Sequence, residues 1–429
     1  MPKRISLRYL PWLLALIAVA LLVGNIIAFN ALPLPKRMSD GLELEYGVRD
    51  PQFRQTLQVL LHNPIVPGNS AELLTDGEEI FSAMIEEISR AEHTVTFETY
   101  EFFGERAAGA LAEALARAAS RGVEVRALID FIGSTRADQS KFELMEDAGV
   151  KVERYRAPVW YKLDRINYRT HRKILVVDGQ VGFIGGANIA DPWLPSEDGP
   201  GYRDHHFRLR GPIVAGLQAT FAENWLNASG VLLEGARFFP VLEPHGDLQM
   251  QVLKSAPQEG RKRVRGTLLY ALAAAQRDFT ASTAYFYPDV AFLEALKLAV
   301  DRGVRVRILM PGGSMDKGFV RHASINRWRE ILEAGVELYE YQPSMYHAKL
   351  ISVDDYWGSF GSANLDNRSF RINDEANVAV WDESFAIFLR ELVESDLEQA
   401  ERFTLDDWEN RPLNKRLVGW VAGLLGAHY

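Results

Sequence analysis

The sequence predicts an α/β protein built from two duplicated domains, preceded by an apolar helix. Three observations carry this: a strand–helix–strand order that occurs twice, one polar motif at the same place in each copy, and a charge-free stretch near the N-terminus. In the first copy Thr94–Tyr100 reads as a strand, Glu105–Arg121 as an Ala-rich helix, Gly122 as its cap and Val123–Asp130 as an alternating strand. The second copy repeats the order with Phe279–Tyr287, Val290–Arg302, Gly303 and Val304–Met310. The junctions match as well: Arg121-Gly122-Val123 answers Arg302-Gly303-Val304, and Ala148-Gly149-Val150 answers Ala334-Gly335-Val336. Strands alternating with helices imply mostly parallel sheets covered on both faces. The copies divide near Phe239–Asp247, where Pro240, Pro244 and Gly246 interrupt regular structure. The expected organisation is an anchor over 1–36, domains over 37–240 and 241–411, and a tail over 412–429.

The chain has 429 residues, enough for two sizeable cores, and its 47% apolar and 24% charged fractions are those of globular protein. A net charge of −9 argues against a general nucleic-acid binder. The absence of cysteine excludes disulfides and thiolate metal sites. No His/carboxylate pattern of metal-ligand type is evident either, so no cofactor is expected.

From Tyr9 to Pro35 no residue is charged, and Trp12–Phe29 is almost wholly apolar. That approaches the ~20 residues a helix needs to cross a bilayer. The run is longer than a signal-peptide core and lacks a small-x-small cleavage site, so a retained anchor is expected. Lys3, Arg4 and Arg8 precede the run, and Lys36 and Arg37 follow it with acidic residues soon after. This small bias puts the N-terminus in the cytoplasm and the bulk of the chain outside the inner membrane of a bacterium.

The repeated motif carries the chemistry. The first copy is His171-x-Lys173-x4-Asp178, then six residues, then Gly185-Gly186-Ala187-Asn188. The second is His347-x-Lys349-x4-Asp354, then six residues, then Gly361-Ser362-Ala363-Asn364. Five identities at fixed spacing arise by chance at roughly one start in several million. Side chains two apart on a strand share a face, so each His and Lys points into a common site. The small residues let the chain approach a ligand closely, and Asn188, Asn364 and Ser362 are candidate phosphate-binding groups. Two copies meeting across a pseudo-twofold axis place two imidazoles, two ammoniums and two amides around one point. That suits a phosphodiester: one His attacks phosphorus and the other protonates the leaving alkoxide. The Lys and Asn donors stabilise charge on the non-bridging oxygens. Asp178 and Asp354 complete the catalytic set of His171, Lys173, His347 and Lys349 by membership of the motif, although their place at strand-ending turns gives them a structural role first.

These motifs resemble those of the phospholipase D superfamily. Gly361–Glu375, Tyr202–His205, Phe97–Tyr100 and Tyr285–Asp289 are similar to segments of bacterial cardiolipin synthases. The resemblance spans roughly residues 70 to 410. It implies phospholipase D-type α/β sandwich domains sharing one active site, and a phosphatidyl-enzyme intermediate. Its implied outcome is transfer to phosphatidylglycerol, giving cardiolipin and glycerol. It also implies that His171 attacks and His347 serves as acid and base. By the same resemblance Asp204 orients the His of the first half and Glu375 that of the second. His205 and His206 are rival candidates because they adjoin Asp204. Many cardiolipin synthases carry two membrane helices, whereas this chain shows one, which leaves the subfamily open.

Two surfaces complete the reading. Lys151–Lys173 holds eight basic and two acidic residues, with Trp160, Tyr161 and Tyr168 among them, and is longer than its counterpart in the second repeat. Such a segment suits anionic headgroups at a membrane. In the tail, Leu413, Leu417, Trp420, Val421, Leu424 and Leu425 share one helical face, either laid on the bilayer or docked on the core. The expected partners are therefore a phospholipid and a membrane, with no nucleic acid. The competing activities are hydrolysis of phospholipid to phosphatidic acid and, against the acidic balance, cleavage of nucleic acid.

Overall fold

Seven strands form from each copy of the repeat, and they take up the same spatial order. The computed structural model describes residues 9–31, 44–61, 63–157, 167–197, 199–256 and 263–423. In the first half the strands are β1 (Val66–Thr75), β2 (Thr94–Thr99), β3 (Glu124–Asp130), β4 (Lys151–Tyr155), β5 (Ile174–Val177), β6 (Val181–Gly185) and β7 (His205–Arg210). Their counterparts are β8 (Leu248–Ser255), β9 (Asp278–Ser282), β10 (Arg305–Pro311), β11 (Glu337–Tyr341), β12 (Leu350–Val353), β13 (Trp357–Gly361) and β14 (Glu375–Trp381). From the centre outwards the first half runs β1-β7-β6-β5-β2-β3-β4 and the second β8-β14-β13-β12-β9-β10-β11, with β15 (Ala400–Phe403) added at the far edge. The halves join through the antiparallel pair β1–β8, in which Val66 faces Met250 and Asn69 faces Leu248.

The sheet is mixed, and the expectation of mostly parallel strands is corrected. Only β2-β3-β4 and β9-β10-β11 run parallel within it. The motif itself forms an antiparallel hairpin, β5–β6 and β12–β13, and the next strand returns antiparallel again. A hairpin needs only a tight turn, whereas a parallel pair needs a crossover helix. The strand expected over Phe279–Tyr287 is interrupted after Ser282 and resumes as the two-residue strand Phe286–Tyr287.

Alternation along the strands separates the cores. Leu175 and Val177 pack with Ile80, Met84 and Leu115 from the helices Asp76–Arg90 and Gly109–Ser120. Ile174 and Val176 face the other way, into a core shared by both halves. Helices α1 (Ile213–Ser229) and α2 (Glu383–Leu397) cover that face. Here Phe207 and Phe360 stack with ring centroids 4.0 Å apart, one from each half. Gly182 and Gly358 occupy equivalent positions under α1 and α2. A Cβ there would come within 2.8 Å of the Leu217 Cδ1 and 2.6 Å of the Leu389 Cδ1, so a larger residue would make these leucines shift.

The terminal segments are partly described. Leu10–Ala31 forms a helix of 22 residues without a charged side chain. Its side chains are described for Leu10–Leu22 and Gly24, and these are exposed. Among the described residues no helix is long and apolar enough to cross a membrane. At the other end Leu413–Gly423 is helical and docks on the helix Gly318–Ile325 through small residues. A Cβ on Gly419 would lie 2.4 Å from the His322 carbonyl oxygen, and Ala422 is buried. The expected apolar face points outwards, with Leu413, Leu417, Trp420 and Val421 exposed. Leu424 and Leu425 lie outside the described residues, as do residues 158–166 of the basic segment Lys151–Lys173, Trp160 and Tyr161 among them.

Candidate active site

The residues leading into β5 and β12 carry the reactive groups. His171 and Lys173 precede β5, and His347 and Lys349 precede β12, all outside the strands proper. Each lead-in is held by the opposite half. Thr170 forms a parallel bridge with Asp374, and Arg203 forms one with Tyr346. The His171 amide donates to the Asp374 carbonyl at 2.9 Å, and the His347 amide donates to the Arg203 carbonyl at 2.7 Å. One residue further along each bridge, a carboxylate meets an imidazole.

The pairing is therefore crossed. His171 Nδ1 lies 3.1 Å from Glu375 Oε2, and His347 Nδ1 lies 2.8 Å from Asp204 Oδ2. Asp204 and Glu375 do orient the histidines, but each serves the His of the other half, not its own. The bridges at Thr170 and Arg203 are the cause, because they set the register of one half against the other. Glu375 also accepts from the hydroxyls of Ser362 at 2.6 Å and Ser369 at 2.7 Å. Asp204 accepts from Trp193 Nε1 at 2.8 Å and from its neighbour's amide, His205 N, at 2.8 Å.

Several expected roles change. Ser362 was expected at the phosphate, but its hydroxyl is committed to Glu375. The small residues at 185–186 admit protein and not a ligand: a Cβ on Gly185 would lie 2.5 Å from the His205 carbonyl of its own half, and one on Gly186 would lie 2.2 Å from Asp204 Oδ1 of its own half and 2.7 Å from the His347 carbonyl of the other. Asp178 and Asp354 stand outside the reacting groups. Asp178 accepts from the amides of Glu92, His93 and Thr94 at 2.7–2.9 Å, and Asp354 from those of Gln276, Arg277 and Asp278 at 2.7–2.9 Å. Both sit at left-handed φ, 51° and 52°, which Asp tolerates at a turn. They tie the motif hairpin to the loop that enters β2 or β9.

The amides differ between the halves. Asn188 exchanges two hydrogen bonds with Glu101, its Nδ2 donating at 3.1 Å and its Oδ1 accepting at 3.2 Å. Asn364 is 3% exposed, and its Oδ1 has no hydrogen-bond partner among the described residues. The rival histidines are both buried. His205 Nε2 lies 3.4 Å from Asp396, and neither ring nitrogen of His206 has a hydrogen-bond partner among the described residues. Among the described residues no group of three or more His, Asp or Glu could hold a metal ion.

Two aromatic residues at the site carry no motif. The Trp193 ring stands edge-on to His347 at 5.0 Å between centroids, and the Tyr100 ring lies 5.4 Å from His171. Tyr100 falls within a segment singled out for its resemblance. Trp193 had no sequence signal, because its contact with Asp204 and His347 exists only after folding.

The profile described as "Cardiolipin synthase, PLD-like domain" matches residues 84–194 and 268–397, more than half of the chain. The chain belongs to this family. It is 34% identical over 368 residues to the major cardiolipin synthase ClsA of Bacillus subtilis, covering 85% of this chain and 76% of that protein. It is 37% identical over 347 residues to cardiolipin synthase A of Pseudomonas putida (strain GB-1), covering 80% and 72%. Among solved structures, the phosphatidylserine synthase of Haemophilus influenzae Rd KW20 superposes with a TM-score of 0.71 at 15% identity, covering 88% of this chain and 100% of that one. That likeness is one of fold.

For a cardiolipin synthase-family site the electrostatics are informative. Burial lowers the His171 pKa to about 4 despite Glu375, and lowers His347 well below its usual value with help from Lys349 and Lys173. Burial thus favours the neutral form of each ring until an anion is bound beside it. Burial pushes Glu375 up, but His171, Lys173 and Ser362 outweigh it and hold the carboxyl below its ordinary range. Burial raises Asp204 against the pull of Lys349. A neutral His171 that donates Nδ1–H to an ionised Glu375 keeps its Nε2 lone pair for attack.

Burial also lowers Lys173 to about 7 and Lys349 to about 8. These ammoniums lose their charge as pH rises through that range, and with it their hold on phosphoryl oxygens. The expected result is a kcat/KM that falls above pH ~7–8, since this ratio reports the free enzyme. The Lys173→Arg variant keeps its charge and should lose the component near 7 from whatever activity it retains. A pH profile of both proteins measures this, and an alkaline limb unmoved by the substitution would refute the assignment.

Proposed function

We propose that this protein is a phosphatidyltransferase that joins two phosphatidylglycerol molecules into cardiolipin and glycerol through a phosphohistidine. The carrying observation is the pair of crossed His–carboxylate contacts, with Lys173 and Lys349 beside them. In the first step His171 Nε2 attacks phosphorus and the bond to the headgroup oxygen breaks. His347, which takes up a proton from solvent as the anionic phosphodiester binds, passes it to that oxygen, and glycerol leaves. In the second step His347 takes the proton from a primary hydroxyl of another phosphatidylglycerol. That oxygen attacks phosphorus, the P–N bond breaks, and cardiolipin forms. The two lysines and Asn364 stabilise the non-bridging oxygens in both steps. The family membership and the curated cardiolipin synthases it resembles support the lipid substrate.

In this reading the N-terminal run anchors the protein in the inner membrane with the catalytic part outside it. The absence of charge from Tyr9 to Pro35 in the sequence supports the anchor, and the outward apolar face of Leu413–Gly423 supports contact with the bilayer. A C-terminal alkaline phosphatase fusion reads the side, and an inactive fusion beside an active cytoplasmic reporter would reverse the topology.

The product distribution tests the function. Vesicles of phosphatidylglycerol should yield cardiolipin and glycerol with phosphatidic acid minor, as read by mass spectrometry. Transesterification conserves one phosphodiester bond, so added glycerol should drive the reaction backwards. Dominant phosphatidic acid would mark a hydrolase instead, since water would then be outcompeting the lipid hydroxyl at the phosphohistidine.

A further inference from the structure

We propose that a cavity beside the paired histidines holds the phosphodiester of the acceptor lipid between Arg169 and Arg368. The inference rests on the phosphatidyltransferase reading above and names the acceptor's binding site. The cavity measures about 280 Å³, and its walls include Tyr100, Arg169, Tyr285, Lys317, Phe319 and Arg368. Tyr100 is the wall it shares with the reaction centre. The same ring lies 5.4 Å from the His171 ring and 5.7 Å from Lys173 Nζ.

The arginines are positioned by the backbone around them. Arg368 donates to the Asn167 side chain at 3.0 Å and to its carbonyl at 2.8 Å, and Arg169 donates to the Tyr168 carbonyl at 2.7 Å. Arg169 is 9% exposed. Both guanidiniums line this one cavity, and burial and Arg169 depress the Arg368 pKa against the pull of Tyr100, Asp366 and Asp130. Two guanidiniums on the wall of one cavity can donate together to the non-bridging oxygens of a phosphodiester. Asp366 also lines the wall, but its carboxylate accepts the Ser369 amide at 2.7 Å, and burial raises its pKa to about 6. The mouth carries an exposed cation, Lys317, and Phe319 at 50% exposure. These suit a headgroup entering with its acyl chains left outside.

The donor's phosphorus must sit between His171 and His347, which already have Lys173 and Lys349 for its oxygens. A second cationic cavity one aromatic ring away is then left for a second phosphodiester. In a glycerol headgroup an ester oxygen and three carbons separate phosphorus from the primary hydroxyl. Anchoring the phosphate beyond Tyr100 therefore turns that hydroxyl toward the phosphohistidine. Water has no such anchor, and neither does free glycerol.

Two reactions of the full-length enzyme separate the roles: cardiolipin formation from dilute phosphatidylglycerol in neutral-lipid vesicles, and exchange of labelled free glycerol into the same lipid. Both need the donor site, but only the first needs an anionic acceptor. For Arg368→Gln and Arg169→Gln the ratio of cardiolipin formation to glycerol exchange should fall at least ~10-fold. Lys317→Gln, at an exposed position tolerant of change, should move the ratio the same way by a smaller factor, and it stands in if a buried variant does not fold. An unchanged ratio across the folded variants overturns the proposal while leaving the transferase reading intact. A wild-type enzyme that forms only phosphatidic acid overturns both.

Discussion

Alanine at position 171 or 347 will each reduce turnover by on the order of 10⁴-fold while the protein stays folded. The first removes the atom that bonds phosphorus, and the second removes the proton carrier. The fold should survive because the carboxylates keep other donors. Glu375 retains Ser362 and Ser369, and Asp204 retains Trp193 and the His205 amide. Circular dichroism and thermal melting check this point. A phosphatidyl analogue with a p-nitrophenol leaving group distinguishes the two roles. Nitrophenoxide leaves without a proton, so His347→Ala should release a burst and trap the phosphoenzyme on His171. The His171→Ala variant should release none. A burst from His171→Ala and none from His347→Ala would exchange the two roles.

The second large effect follows from the crossed contacts. Glu375→Gln should cost roughly 10³-fold and behave like His171→Ala, although Glu375 belongs to the other half. A glutamine amide can donate to Nδ1 and force the proton onto Nε2, which then has no lone pair for attack. Asp204→Asn should behave like His347→Ala instead, slow with phosphatidylglycerol but competent for a nitrophenol burst. Pairing within each half would reverse this pattern. The burst experiment on these two variants decides between them, and a burst from Glu375→Gln with none from Asp204→Asn would sink the crossed arrangement.

Much of this protein was legible in its residues because the signals are local. Helix and strand periodicities, the caps at Gly122 and Gly303, and the spacing within each motif depend on neighbours a few residues apart. The duplication could be seen by comparing the chain with itself. The antiparallel course of the motif hairpin was missed because β5 and β6 are apolar runs buried on both faces, and that pattern is shared with parallel strands. The turn role of Asp178 and Asp354 was partly readable from Asp178-Gly179 and Asp354-Asp355, but their backbone partners some 80 residues earlier were not.

The sequence by itself determined the α/β class, the repeat, the family and the histidines, lysines and carboxylates that make up the site. Tertiary structure alone decided which carboxylate meets which histidine. His171 and Glu375 are 204 residues apart, and Asp204 and His347 are 143 apart. Motif spacing is a property of one stretch of chain, and the two halves carry equivalent copies, so nothing local distinguishes a contact within a half from one between halves. The β1–β8 seam and the bridges at Thr170 and Arg203 break that tie. They bury an apolar core common to both halves, and in closing it they bring each histidine against the opposite half's carboxylate.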